Sequence, residues 1–277
     1  MRAASPPRAL WIVALVTAGL LGSAYAIGYS LMGHQSTPDI AAPSDSPHQF
    51  ANQPPATSAA PEGSPSPAGP TADNADQDGP FGTQMTTGTG QVTLTFDDGP
   101  DPNYTPQALA ALRAYRVTAT FCLVGENVQA HPDLVRAIVA DGHTLCNHTW
   151  NHDVTLGSQS YESIRADLLR TNEAIRAAVP DARIAYYRQP GGAWTYPVVS
   201  VSRDLGMVPL HWTVDPADWE TPGAASIAGM VNASTVPGSV VLLHDAGGDR
   251  QGTVDALYHI LPNLTSRFQV AALPPDL

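Results

Sequence analysis

Residues 91–277 alternate between strand-like and helix-like segments, and this alternation restricts the possible folds more than any other feature. Short apolar runs predict strands at 91–96, 118–124, 142–147, 183–187, 207–214, 238–244 and 267–272. Helical patterns lie near 131–140 and 160–178, and Thr105-Pro106 predicts another helix, with Thr105 as its N-cap. Repeated strand–helix units imply a parallel sheet, and about seven strands predict a distorted, TIM-barrel-like (β/α) barrel of the α/β class.

Two adjacent carboxylates, Asp97 and Asp98, follow the first predicted strand. In a parallel barrel the chemistry gathers where strands end and loops begin. Neighbouring carboxylates repel each other, so a fold that keeps them together usually supplies a metal or a cation. The run Asp-Asp-Gly-Pro is also ordinary turn chemistry, and both interpretations stay open until the rest of a site is found.

His148 and His152 follow the third predicted strand, four residues apart. This spacing predicts that both imidazoles lie on one side of a helical turn and reach one ion. Two unrelated polar residues in a loop are the alternative. One Asp and two His form the three-ligand set of a catalytic zinc, with the fourth position left for water.

Three further polar residues follow the later strands: Arg188, Asp218 and His244. Each has a structural interpretation on its own, as a surface ion-pair partner, a turn residue and a core histidine respectively. Together with the two carboxylates and two histidines, they put an acid, a base, a cation and metal ligands at one end of the predicted barrel. This convergence favours an active site.

These five elements occur in the order of the five motifs of the polysaccharide deacetylases of carbohydrate esterase family 4, and the chain resembles that family over essentially all of residues 91–277. The resemblance implies that Asp97 is the general base and that Arg188 orients it. It implies that Asp98, His148 and His152 bind the metal.

The resemblance also assigns the remaining roles. His244 matches the general acid, and Asp218 matches the carboxylate that orients it. Trp219 and Leu242 match residues that line the pocket for the acetyl group, and Gly191 matches a backbone N–H contact to the oxyanion.

The third motif departs from the family pattern, which commonly has an aromatic residue where this chain has Gly191. Glycine keeps the backbone N–H, so the departure concerns the wall that an aromatic ring would form. Trp194 could fill that space, or the groove could be wider.

The implied activity is metal-dependent hydrolysis of N-acetyl groups of a cell-envelope or extracellular glycan, with release of acetate. Zn²⁺ is the expected metal, and Co²⁺ or another divalent transition metal is an alternative. Peptidoglycan N-acetylglucosamine is the preferred substrate hypothesis. The alternatives are a chitooligosaccharide deacetylase, an acetylxylan esterase and a non-catalytic glycan-binding barrel. The net charge of −12 argues against nucleic acid, and no obligate protein partner is indicated.

The sequence pattern of the N-terminal third predicts that the rest of the chain is exported. Arg2 and Arg8 flank an uncharged stretch at 9–32, so residues 1–32 are expected to be a cytoplasmic N-terminus and membrane anchor. A cleaved secretory signal that ends at Ala26 is the alternative. Residues 33–90 are rich in Pro, Ala and Ser and predict a disordered linker ahead of the catalytic domain at 91–277. Both alternatives put that domain outside the cytoplasm, anchored or secreted.

Cys122 and Cys146 are the two cysteines of the chain, and they lie on the second and third predicted strands. Disulfides persist in exported proteins, so a Cys122–Cys146 bond is expected. Two buried free thiols are the alternative.

Overall fold

Six short strands and seven α-helices alternate along residues 79–276, the part of the chain that this computed structural model describes. The strands are β1 (Thr93–Asp97), β2 (Thr120–Leu123), β3 (Thr144–Asn147), β4 (Ile184–Tyr187), β5 (Val208–Pro209) and β6 (Val240–His244). The helices are α1 (Thr105–Tyr115), α2 (Gly125–Ala130), α3 (Pro132–Ala140), α4 (Tyr161–Ala178), α5 (Tyr196–Asp204), α6 (Ala224–Ser234) and α7 (Gln251–Arg267).

All paired strands are parallel, in the order β5-β4-β3-β2-β1-β6. The sheet curls so that Val214, in the segment after β5, forms a bridge with Val241 of β6. The predicted strand at 207–214 is therefore not continuous. Its first part pairs with β4, and its last residue forms a bridge to β6 at the other edge of the sheet. The predicted distorted (β/α) barrel is confirmed, with six strands.

The seventh predicted strand, at 267–272, is wrong. Helix α7 continues to Arg267, and the segment after it contributes a single bridge between Val270 and Val92. Pro274 and Pro275 follow shortly after, and proline has no N–H with which to extend a ladder.

Helix positions agree closely with the sequence pattern. The Ser160 side chain caps α4 by accepting a hydrogen bond from Ser163 N, as expected for a helix that starts near residue 160. The N-cap of α1 is Tyr104, one residue before the predicted Thr105. The Thr105 hydroxyl instead donates to Asp245 Oδ2, because the α1 terminus lies against the end of β6.

Successive strand residues alternate between two buried clusters. Phe121 belongs to the large cluster between the sheet and the helices, whereas Cys122 belongs to a smaller cluster on the other face. Cys122 and Cys146 are direct partners in the β2–β3 register, so their side chains lie on the same face. The structure joins them in a disulfide, as favoured from the sequence.

The ordered domain begins before residue 91. Gln84 N donates to Pro209 O at 2.8 Å, Thr87 N donates to Gly238 O at 2.9 Å, and Phe81 packs edge-on against Tyr196. Residues 79–90 were expected to belong to the linker, but their backbone pairs with the edges of the sheet. The predicted anchor at 1–32 and the linker up to residue 78 lie outside the described residues. Within residues 79–276, no helix has the length and apolar character needed to cross a membrane.

Candidate metal centre and active site

The carboxyl ends of four strands meet around one cavity of about 520 Å³. Asp97 ends β1 and His244 ends β6, while His148 and Arg188 directly follow β3 and β4. The cavity is lined by Asp97, Asp98, His148, His152, Gln189, Gly191, Trp212, Asp215, Trp219, Leu242, His244, Gly247 and Arg250. The structure therefore brings the predicted site residues together, and the two it keeps from the cavity, Arg188 and Asp218, bind residues that line it.

Asp98, His148 and His152 form a group that can hold a metal. Their ligand atoms all lie within 4.8 Å of one another, with His148 Nε2 at 3.5 Å and His152 Nε2 at 3.3 Å from Asp98 Oδ1. Asp98 Oδ1 is buried and has no hydrogen-bond partner among residues 79–276. His148 Nδ1 lies 2.8 Å from Arg188 O, so it carries the proton and leaves Nε2 free to bind an ion. These residues fit a divalent metal with an open coordination position.

The electrostatics of the group favour the ligand forms. Burial raises the pKa of Asp98, but the close approach and charge of His148, with the charges of His244 and His152, lower it to about 2. Burial and the neighbouring His148 lower the pKa of His152 below its usual value. A carboxylate and a neutral imidazole are the forms that bind metals.

The local backbone of the ligands differs from the helical turn predicted for 148–152. Those residues form a non-helical turn in which Thr149 and His152 have φ of 64° and 59°. Asp98 also has a left-handed backbone, with φ of 74°, and its carbonyl accepts a hydrogen bond from Asn127 Nδ2 at 2.7 Å. Left-handed conformations of non-glycine residues cluster at functional sites, where surrounding contacts hold them.

Asp97 is held by a fully buried arginine. Arg188 Nη1 donates to Asp97 Oδ1 at 2.8 Å and to Thr95 Oγ1 at 2.7 Å. The remaining guanidinium nitrogens donate to two backbone carbonyls, Leu210 O and His211 O. The carboxylate is therefore fixed beside the metal ligands, with its Oδ2 3.7 Å from His148 Nε2.

His244 forms a second ion pair, with Asp218. Asp218 Oδ1 lies 2.7 Å from His244 Nδ1, and Asp218 Oδ2 accepts from His244 N and from Thr253 Oγ1, each at 2.8 Å. Burial lowers the pKa of His244, but the hydrogen bond and charge of Asp218, with the charges of Asp97 and Asp98, raise it to about 9. His244 is thus a protonated imidazolium at neutral pH and can donate a proton.

The predicted pocket residues line the cavity, and the structure shows which aromatic residues lie there in the absence of a ring at Gly191. Trp219 is 52% exposed and Leu242 is buried, and both line the cavity. Trp194 does not replace an aromatic ring at Gly191, because it is buried and donates from Nε1 to His211 Nδ1. Two tryptophans, Trp212 and Trp219, line the cavity together with Gly191, and Trp212 lies next to Gly192.

Several site residues were not predicted from the sequence. Five of them line the cavity: Gln189, Trp212, Asp215, Gly247 and Arg250. Thr95 supports Arg188, and its position two residues before Asp97 on the same strand is a signal that could have identified it. Thr253, which supports Asp218, lies on α7 and has no comparable local signal.

Asp245, which directly follows His244, is buried behind the site. Its Oδ2 accepts from Thr105 Oγ1 at 2.6 Å, and its Oδ1 has no hydrogen-bond partner among the described residues. Burial raises the pKa of Asp245 to about 7; the Thr105 hydrogen bond opposes this effect, and the charges of Asp98 and Asp97 add to it. This carboxyl packs against the turn that carries Asp97 and Asp98.

Comparison with known proteins agrees with this geometry. Residues 84–210 match the family model described as polysaccharide deacetylase. A chitooligosaccharide deacetylase from Rhizobium leguminosarum bv. trifolii is 43% identical over 66% of this chain and 90% of its own length. A peptidoglycan-N-acetylglucosamine deacetylase from Bacillus cereus is 40% identical over 62% of this chain and 81% of its own length.

Solved structures show the same fold. A peptidoglycan N-acetylglucosamine deacetylase superposes with a TM-score of 0.64 and 34% identity, over 71% of this chain and 89% of the other. A pseudoenzyme of carbohydrate esterase family 4 from Bacillus anthracis also has a TM-score of 0.64, at 27% identity, over 71% of this chain and 69% of the other. The chain that brings these strand-end residues together belongs to the polysaccharide deacetylase family.

Proposed function

We propose that this protein is a zinc-dependent hydrolase that removes acetyl groups from N-acetylglucosamine units of a glycan and releases acetate. One observation carries the proposal. The metal-binding group Asp98–His148–His152 shares a cavity with a carboxylate held by Arg188 and an imidazolium held by Asp218. This is the set of groups that amide hydrolysis needs.

Zinc is proposed because two imidazoles and one carboxylate with an open position suit a catalytic zinc, and Co²⁺ is the alternative. When bound, the metal would lower the pKa of a water molecule and polarise the acetyl carbonyl. Asp98, His148 and His152 would hold it.

Asp97 acts as the general base in this proposal. Its carboxylate takes a proton from the water that attacks the acetyl carbon, and Arg188 keeps it aimed at the cavity. The backbone N–H of Gly191, which lines the same cavity, is proposed to donate to the developing oxyanion.

His244 acts as the general acid. As the bond between the acetyl carbon and the sugar nitrogen breaks, the imidazolium gives its proton to that nitrogen. The products are acetate and a free amine on the sugar. Asp218 orients His244 and raises its pKa, so the acid stays protonated until this step.

Peptidoglycan is the proposed substrate, acted on outside the cytoplasmic membrane. The support is the predicted N-terminal anchor, since a tethered enzyme reaches the wall directly, and the similarity to peptidoglycan-N-acetylglucosamine deacetylases. Chitin oligomers are the second candidate, because chitooligosaccharide deacetylases are similarly close in sequence. Acetylated xylan is the third.

Acetate release tests the proposal. Purified protein loaded with zinc would be assayed on peptidoglycan, on chitin oligomers and on acetylated xylan. Release from peptidoglycan at the highest kcat/KM is the expected result. Release of acetate from another glycan alone would overturn the assignment of peptidoglycan as substrate. No release from any glycan would overturn the proposed deacetylase activity. Glycan binding without turnover would favour a non-catalytic barrel, the class of the Bacillus anthracis pseudoenzyme.

A further inference from the structure

Trp212 lines the active-site cavity and lies near His211 and Arg188. Its ring lies 4.1 Å from the ring of His211, centroid to centroid, and 5.7 Å from the guanidinium carbon of Arg188. His211 is fixed in turn by the hydrogen bond from Trp194 Nε1 at 3.1 Å. The indole therefore lies over the same arginine that holds Asp97, at a cation–π distance.

Gly192 provides the space for this ring. A Cβ at position 192 would lie 2.9 Å from Trp212 Cη2, closer than such contacts occur in folded proteins. By contrast, a Cβ at Gly191 would meet Val154 Cγ1 at 3.4 Å, which a small adjustment can accommodate. The glycine pair after Pro190 thus allows an indole from a distant segment to reach the cavity.

The cavity joins this indole to the polar metal group. Trp212 is partly exposed, and with Trp219 and Leu242 it adds apolar surface to a cavity that also contains the carboxylates and imidazoles. A pyranose ring has an apolar C–H surface and polar edges, and aromatic side chains with nearby polar groups complement such a molecule.

We propose that Trp212 is a specificity-determining residue that contacts the sugar ring of the acetylated unit and supplies an aromatic wall to the cavity, next to Gly192. The proposal rests on the proposed glycan deacetylase function. Trp212 takes no part in proton transfer, and its contact is made with bound substrate and transition state alike, so it acts mainly on KM.

Steady-state kinetics on a tetramer of N-acetylglucosamine test the proposal. We expect Trp212→Ala to raise KM about tenfold, the loss of roughly one aromatic contact, while kcat changes by less than about threefold. Trp212→Phe should keep most of the affinity because it retains a ring. Thermal unfolding of each variant would check that it is folded.

A matched pair of glycine variants tests the position of the indole without replacing Trp212 itself. Gly192 and Gly206 both have a left-handed backbone, with φ of 60° and 76°, so alanine strains both. A Cβ at Gly206 meets nothing within 4 Å, whereas a Cβ at Gly192 displaces Trp212. Gly192→Ala should therefore raise KM, and Gly206→Ala, which carries the backbone strain without the clash, should lower Tm but leave KM unchanged.

Two results would overturn the proposal. If Trp212→Ala kept KM within twofold of the wild type, the indole would not contact the sugar. If kcat fell at unchanged KM, Trp212 would act through Arg188 and Asp97 instead. Either result requires an active wild-type enzyme, so it is distinct from failure of the deacetylase proposal, in which the wild type itself releases no acetate.

Discussion

Asp97 and His244 are direct register partners at the ends of the neighbouring parallel strands β1 and β6. Each is held by its own ion pair, Asp97 by Arg188 and His244 by Asp218. Two groups of opposite charge are therefore placed a strand spacing apart, and the separate partners keep them from neutralising each other. Asp98, which would bind the metal, directly follows Asp97, so the proposed base and a proposed metal ligand are consecutive residues.

Replacement of the proposed base should separate chemistry from metal binding. Asp97→Asn keeps the shape of the side chain but removes the proton acceptor, so we expect kcat to fall roughly 10²–10⁴-fold. Zinc binding, measured by calorimetry, should change little because Asp98, His148 and His152 remain. Unchanged turnover would contradict the assignment of Asp97 as base.

Removal of one metal ligand should give the opposite pattern. His152→Gln should weaken zinc binding by more than about a hundredfold, since even the loss of outer-shell partners costs about 10–100-fold. Competition with a chelator measures this affinity. His259→Gln is the matched control, because His259 is exposed on α7 and does not line the cavity. This variant should bind zinc as the wild type does.

The pH dependence of turnover should depend on Asp218. Its carboxylate raises the pKa of His244, and His244 must be protonated to act as an acid, so activity is lost as pH rises through that pKa. Asp218→Asn removes the charge, and we expect the alkaline limb of the kcat profile to move to lower pH. Asp255→Asn, an exposed change on α7, should leave the limb in place. An unshifted limb in Asp218→Asn would exclude His244 as the titrating acid.

Asp245 should make a contribution to the stability of the metal-free protein that falls between about pH 4 and pH 7, while the buried His143 and His211, whose pKa values are lowered to about 4, act in the opposite direction. The pKa of Asp245 is raised to about 7, so across this range the folded state holds a proton that the unfolded state has lost. The contribution of this group to the free energy of unfolding then decreases as pH rises, by at most about 1.4 kcal/mol per pH unit. Asp245→Asn should remove this contribution, so that in urea titrations at pH 4, 5, 6 and 7 the slope of unfolding free energy against pH is more positive in the variant than in the wild type. An equal slope in both proteins would show that Asp245 does not titrate in this range.

The disulfide should contribute to stability through the unfolded state. It closes a loop with a sequence separation of 24, for which chain entropy predicts about 3 kcal/mol. A Cys122→Ser, Cys146→Ser double variant should show this loss in the free energy of unfolding. A reducing agent should lower the stability of the wild type by a similar amount and leave the double variant unaffected.

Local patterns determined much of the fold. Period-two apolar runs and Pro and Gly helix boundaries depend on neighbouring residues, so five of the six strands and the starts of α1 and α4 were predicted closely, whereas β5 is much shorter than the predicted 207–214. Interpreted with the family motifs, strand ends also identified Asp97, Asp98, His148, His152, Arg188, Asp218 and His244, which the structure assembles at one end of the barrel.

Tertiary structure decided what depends on contacts between distant segments. Gln84 and Thr87 pair with the edges of the sheet, so the domain begins before the predicted residue 91. Residues 267–272 form a single bridge instead of a strand, because the prolines that follow cannot extend the ladder. The left-handed backbone of Asp98 and His152, and the choice of Trp212 over Trp194 as the cavity wall, likewise follow from packing. The sequence by itself determined which chemical groups stand at the strand ends. Only the folded chain decided their geometry, because the contacts that hold them join residues far apart in sequence.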